Sequence, residues 1–424
     1  MRCTKHTLPN GLRVLTVPMQ DNPTVTVLVL VEAGTQYETK AENGISHLLE
    51  HMVFKGTTRR PKAITISYEL DALGAIYNAF TSREYTGYYA KADFKHADTM
   101  LDIVSDMYQN PLFDEKELEK EKGVIVEEIR MYEDEPKEKV GDVFDKLMYG
   151  DQPAGWTIAG DESTVRSISR EQLFDYRKQH YLASSTVVVV AGRFDEMEMV
   201  KKVQAQFANI ATNTPHKLIT TATEQSAPAI ATLNRKADQV HLVLGLRSVE
   251  RENPLLPALK VLRGVLSGGM STRLFQKLRD ELGLVYYAHA SQSSSKDHGH
   301  FTVSAGVNRD KVGEALSAIL YELKRLAYEP VSLPELKKVK DSMIGRLYLG
   351  LESSDDLAEY YGFGELLRKE IRTPEMTVAE IEAVTVEDIQ KAARFLCVDS
   401  HLNLAIVGPA GDEQVLRGLL HFSS

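Results

Sequence analysis

An α+β fold built from two homologous domains, each a mixed or antiparallel sheet covered by helices, is what this sequence predicts. Three observations carry that expectation. Short apolar runs bounded by turn residues mark strands, and longer runs with apolar residues three and four apart mark helices. The order of these patterns in the first half returns in the second at an offset of about 216 to 219 residues, as an internal duplication does.

Taken in order, Leu12-Arg13-Val14-Leu15-Thr16-Val17 alternates, Asp21-Asn22-Pro23 turns, and Val25-Thr26-Val27-Leu28-Val29-Leu30-Val31 continues. Two adjacent strands are predicted, the second apolar enough to be covered on both faces. From Asn43-Gly44 the period becomes helical, with Ile45, Leu48, Leu49 and Met52 as its stripe and Gly56 beyond it. A second helix spans about Ile64 to Leu73, and Tyr77 to Lys91 reads as a hairpin. Helices follow over Ala97–Gln109, Glu115–Tyr132, Lys137–Leu147 and Arg170–Tyr181, then a buried strand, Thr186-Val187-Val188-Val189-Val190-Ala191. Residues 211–228 are small and polar, which predicts a linker between a first domain, 1–210, and a second, 229–424. The second begins with a strand at Val240–Gly245. A helix at Leu259–Leu266, a hairpin over Val285–Val307 and helices at Asp310–Leu326 and Pro334–Leu347 come next. Local phrases repeat too: Val190-Ala191-Gly192 returns as Ile406-Val407-Gly408.

Composition narrows the function. The chain has 424 residues, 43% hydrophobic and 26% charged, enough apolar surface to fold as two or three domains rather than stay disordered. A formal charge of -10 argues against general affinity for nucleic acid. Cys3 and Cys397 are too few for a disulfide framework or a four-sulfur metal site, which fits a reducing compartment. No signal-like apolar core opens the sequence, and no apolar stretch of about 18 residues follows. The expectation is a soluble, cytoplasmic protein with no membrane partner.

The chemistry concentrates in His47-Leu48-Leu49-Glu50-His51. Histidines four apart lie one turn apart on one helix face, so both imidazoles can reach one ion, with Glu50 beside them. Neutral imidazole suits zinc, and a catalytic zinc takes three protein ligands plus an open position. The helix Glu115–Tyr132 offers Glu121 and Glu128, seven apart on one face; Glu128 is the expected third ligand and Glu121 its supporting partner. The crowding of Glu115, Glu117, Glu119, Glu121, Glu127 and Glu128 also fits a charged, solvated face. The Ser267-Gly268-Gly269 loop reads as a loop-to-helix joint, although an anion could be received there. His298 and His300 flank a turn with no evident third ligand.

H-x-x-E-H is the inverzincin signature, and the whole chain resembles the insulinase/pitrilysin family of zinc peptidases. More closely, it resembles the short-chain branch containing the mitochondrial processing peptidase β subunit and its bacterial relatives. The resemblance rests on Leu8-Pro9-Asn10-Gly11-Leu12-Arg13-Val14, on His47 through Thr57, and on Asn78-Ala79-Phe80-Thr81. Val126-Glu127-Glu128-Ile129 and Arg273-Leu274-Phe275 extend it.

The resemblance implies one Zn2+ per chain, held by His47, His51 and Glu128, with Glu121 in support and Glu50 as general base. It implies that Asn78, Ala79 and Phe80 bind substrate as a strand edge. It also implies that Arg279 and Tyr286 of the second half fold over the substrate, although Tyr287 adjoins Tyr286 and Arg279 also suits a surface ion pair. Positions about 218 residues beyond the metal motif hold Val265, Gly268 and Gly269, and those matching Glu121 and Glu128 hold Val339 and Arg346. The second half therefore lacks the metal set. The expected activity is zinc metalloendopeptidase action on unfolded peptides or small proteins in an enclosed chamber, by a homodimer or with a paralogous subunit. The alternatives are a non-catalytic scaffold subunit and a presequence-processing subunit working with a partner.

Overall fold

The computed structural model describes residues 2–409 and 411–422. The chain divides into two compact units, each discontinuous in sequence: unit 1 is Met1–Ile129, Thr157–Ile219 and Tyr348–Pro374, and unit 2 is the remainder. The contiguous boundaries 1–210 and 229–424 do not describe this packing, because residues 130–156 belong to unit 2 and 348–374 to unit 1. The stretch 211–228 contains neither helix nor strand.

Unit 1 holds strands β1 (Thr4–Thr7), β2 (Arg13–Pro18), β3 (Thr24–Val31), β4 (Ile76–Thr81), β5 (Thr86–Asp93) and β6 (Thr186–Gly192). Its helices are α1 (Ile45–Met52), α2 (Ala63–Ala72), α3 (Ala97–Gln109), α4 (Glu115–Asp134, as far as Ile129), α6 (Glu162–Ser167), α7 (Arg170–His180), α8 (Glu196–Gln206) and α12 (Ser354–Arg368). Unit 2 holds β7 (Ala229–Leu233), β8 (Val240–Ser248), β9 (Val285–Ser294), β10 (Gly299–Val307) and β11 (Leu402–Val407). Its helices are α5 (Pro136–Tyr149), α9 (Leu256–Leu266), α10 (Val312–Tyr328), α11 (Leu333–Leu349, as far as Leu347), α13 (Pro374–Ala383), α14 (Val386–Leu396) and α15 (Glu413–Leu419).

The first sheet runs β1-β2-β6-β3-β5-β4 and the second β7-β11-β8-β10-β9. Apart from β1 the two orders correspond strand for strand. In each, the late strand, β6 or β11, pairs parallel to one early strand and antiparallel to the next. The expectation that β2 and β3 are adjacent is corrected here. β6 is buried along its whole length and lies between them, where its two apolar faces and two ladder edges are all covered.

Each sheet owes one cover to a helix from the other half of the sequence. α12 lies across β3 and β6, with Gly362 so close to Leu30 and Val189 that a Cβ would stand 2.8 Å and 3.1 Å from their methyls. α5 lies across β11 and β8, and there the missing Cβ is on the strand: at Gly245 it would meet the Phe144 ring at 2.0 Å. Glu365 of α12, fully buried, is held by Lys5 at 2.6 Å and Arg13 at 3.3 Å. A buried carboxylate is tolerated only with such partners, so the contact favours one seating of the helix over others. α3 covers the other face of β3, which is why that strand reads as a continuous apolar run.

Candidate active site

α1 begins at Gly44, whose φ of 96° is left-handed and whose Cα is packed against the backbone of Ala159 and Gly160. No other residue fits that approach. The helix N-terminus is capped by Glu38, a residue that no local pattern marks. Its Oε2 accepts from the Gly44 amide at 2.9 Å and its Oε1 from the Ser46 amide at 3.0 Å. Burial outweighs these bonds and holds the Glu38 carboxyl above its usual range. Ile45, Leu48, Leu49 and Met52 are buried as the stripe predicts, which turns His47, Glu50 and His51 to the partly open face.

α4 brings its carboxylates to that face. Glu128 Oε2 stands 3.9 Å from His47 Nε2 and 3.7 Å from His51 Nε2, and one ligand atom from each residue lies within 4.8 Å of the others. These gaps exceed hydrogen-bond length. Glu127, next in sequence, points to the exposed side. The crowded acidic face exists as well: Glu117 and Glu119 pair with Lys120 and Lys122 on the outer turns. One helix thus has a solvated side and a side aimed at the histidines.

Glu121 sits behind the cluster, buried, and receives His51 Nδ1 at 3.2 Å and Lys55 Nζ at 2.7 Å. Burial opposes its ionisation, but those two donors outweigh it and keep the Glu121 carboxyl below its usual range. A carboxylate accepting from Nδ1 fixes the His51 tautomer and leaves Nε2 with a free lone pair facing Glu128. His47 packs edge-on to His51, ring centroids 4.7 Å apart. Burial, and secondarily the charge of His51, lowers the His47 pKa to about 4, so the ring is neutral at neutral pH. Two imidazoles and one carboxylate, with one imidazole oriented from behind, fit a borderline divalent ion such as zinc. Glu50 is half-buried; burial raises its pKa, with the Thr81 hydroxyl and His51 opposing and Glu128 assisting.

β4 is the sheet edge beside α1. Asn78 is exposed, Ala79 is buried against the core, and Phe80 lies over Gly87 of β5, where a Cβ would stand 2.3 Å from its ring. Phe80 also packs near Phe363 of α12, so this side chain is partly committed to the fold.

In unit 2, residues Phe275–Glu281 form a π-helix that ends in the bond from the Leu282 amide to the Lys277 carbonyl. Such wide turns recur at functional sites. Arg279 lies on it, over the rings of Phe275 and Tyr286 at 5.1 Å and 5.7 Å. The surface ion pair it could have made with Asp280 or Glu281 does not form; those carboxylates take Gln276 and Lys277. Tyr286 is 71% exposed, whereas Tyr287 turns inward and bonds His241 Nδ1 at 3.0 Å. His298 bonds its neighbour Asp297 at 2.7 Å, and among the described residues the only three-residue metal-ligating group is His47, His51 and Glu128.

Known proteins resemble this chain in sequence and in fold. Residues 13–162 match the profile of insulinase, peptidase family M16, and residues 167–343 match the M16 inactive domain. An uncharacterized zinc protease of Bacillus subtilis, YmxG, is 36% identical over 96% of this chain and 98% of its own. The chain belongs to the insulinase (M16) family of zinc proteases. A further M16-like relative, an uncharacterized zinc protease of Streptomyces coelicolor, is 33% identical over 97% of this chain and 90% of its own. The two-domain M16 fold recurs in the crystal structure of a Helicobacter pylori protease, with a TM-score of 0.89 at 22% identity, covering 96% of this chain and 99% of that one. Among the described residues no helix is long and apolar enough to cross a membrane.

Proposed function

We propose that this M16 protein is a zinc-dependent metalloendopeptidase holding one Zn2+ per chain, with His47, His51 and Glu128 as ligands. The convergence of those three donor groups within 4.8 Å, with Glu50 alongside, carries the reading. Bound there, zinc supplies a Lewis acid for the scissile carbonyl and acidifies the hydrolytic water. The chain's own groups do the rest. Glu50 takes a proton from that water and returns it to the leaving amine, a role its partial burial suits. Glu121 holds the His51 tautomer. The free edge of β4 receives an extended peptide as an added strand, with Asn78 and Ala79 at the contact and Phe80 as a wall. Tyr286 and Arg279, neither tied to a carboxylate among the described residues, donate to oxygens where negative charge grows. Such a strand-binding edge suits unfolded peptides and small proteins, and a homodimer enclosing them in a chamber is the assembly we infer for a soluble, cytoplasmic enzyme.

The test is cleavage of quenched peptides alongside metal analysis. Glu50→Gln is expected to retain zinc and lose about 10²- to 10⁴-fold in kcat. Wild-type protein that binds zinc and cleaves no peptide would instead support a scaffold subunit, or a processing subunit that needs a paralogous partner.

A further inference from the structure

Two arginines of unit 2 carry charge that no described carboxylate neutralises. Arg263, in the last turn of α9, makes no side-chain hydrogen bond or ion pair with a described residue, and Arg346 of α11 gives a single bond, to the Gly268 carbonyl. Both reach the same loop. A Cβ on Gly268 would stand 3.2 Å from Arg346 Nη1 and 3.9 Å from Arg263 Nη1, and one on Gly269 would stand 3.9 Å from Arg346 Nη2. Gly268 itself has a φ of +125°, so a side chain there is both strained and obstructed.

The surroundings add further donors. The amides of Gly268, Gly269, Met270 and Ser271 hydrogen-bond to no described residue. Ser267 Oγ lies 3.2 Å from His289 Nδ1. Burial, then the nearby Arg346, lowers the Arg263 pKa, and burial with Arg263 likewise lowers that of His289. Like charges brought together without a counter-charge cost stability unless something negative enters.

Position adds to this. Arg346 stands on α11 where Glu128, its match by the sequence offset, stands on α4, whereas Gly268 and Gly269 fall just past the end of α9 and not on the helix as Glu50 and His51 do on α1. Where α4 turns a carboxylate to the histidines, α11 turns a guanidinium to the glycine loop that follows α9.

We propose that Arg263, Arg346 and the Ser267–Ser271 loop form an oxyanion-binding site for a carboxylate or phosphate group. Guanidiniums clamp either group through paired N–H donors, and free loop amides add to them. The oxyanion comes from an acidic peptide or from free phosphate, and the test separates the two.

Full-length protein is titrated calorimetrically, at constant ionic strength set with chloride, with inorganic phosphate, acetyl-Ala-Asp-Ala-amide and acetyl-Ala-Asn-Ala-amide. The expected result is binding of phosphate or of the Asp peptide but not of the Asn peptide, weakened about tenfold or more by Arg263→Gln and by Arg346→Gln. Preference between the two binding probes identifies the source. Melting supplies a second readout that a packing role does not move. Without anion, Arg263→Gln melts at or above the wild-type temperature; with saturating phosphate or Asp peptide the wild type gains stability and the variant does not. Equal binding by wild type and the double variant, or no binding of either acidic probe to wild type, overturns the proposal. No cleavage is measured, so the outcome is independent of the proposed peptidase activity.

Discussion

The duplicated halves place the same helix pair at corresponding positions and fill it with opposite chemistry. α1 against α4 presents two imidazoles and three carboxylates, whereas α9 and the loop after it present valines, glycines and an arginine to α11, which adds a second arginine. At the inner position Glu121 accepts from His51, while its counterpart Val339 lies 2.7 Å from where a Gly264 Cβ would be and merely packs. One scaffold therefore does not dictate one function. The side chains at a few positions of a helix pair decide whether the pair attracts a cation or an anion.

Six substitutions break or sharpen this comparison. The largest effect is expected at the contribution of unit 2 to catalysis: Tyr286→Phe lowers kcat about 10²- to 10³-fold with zinc content unchanged, as loss of an oxyanion donor does. Tyr287→Phe, which breaks the inward bond to His241, should instead show in melting temperature rather than in kcat. Next, Glu121→Val gives unit 1 the residue its counterpart holds, and zinc affinity measured by competition with a chelator should fall about 10- to 100-fold.

Smaller effects follow from the exchanged helices. Gly362→Val pushes α12 from β3 and Gly245→Val pushes against Phe144 of α5; each is expected to cost about 1–3 kcal/mol in denaturant unfolding. Comparable losses at both positions would show that the two exchanges matter equally, and a loss at one alone would show that they do not. Smallest is Arg346→Glu, which sets a carboxylate beside Arg263. A surface pair of this kind adds about 0–1 kcal/mol, read as a rise in melting temperature of a few degrees at most.

Much of this was legible in the sequence, for identifiable reasons. The α1 stripe and the His47-Glu50-His51 spacing are local, and the seven-residue separation of Glu121 and Glu128 sets both on one side of α4 whatever the helix packs against. Glu127 is excluded by the same periodicity. The insertion of β6 between β2 and β3 was not legible, because a buried strand carries no mark of its neighbours. Nor was the exchange of α5 and α12. An amphipathic stripe says that a helix covers something, and the glycines that select the sheet, Gly245 and Gly362, have no local signature of that use. Glu38 was missed because it caps α1 from an irregular segment, outside the position where capping residues are sought. The convergence of Arg263 and Arg346 on Gly268 brings α11 back to a loop 78 residues earlier, and only the match of Arg346 to Glu128 by sequence offset hinted at it.

The central claim is that Glu128 completes a zinc site with His47 and His51. Its most direct test is the zinc content of purified protein, by mass spectrometry, for wild type, Glu128→Gln and Glu127→Gln. The account predicts about one equivalent per chain in wild type and in Glu127→Gln, and close to none in Glu128→Gln. Zinc retained in full by Glu128→Gln, or lost with Glu127→Gln instead, would contradict it.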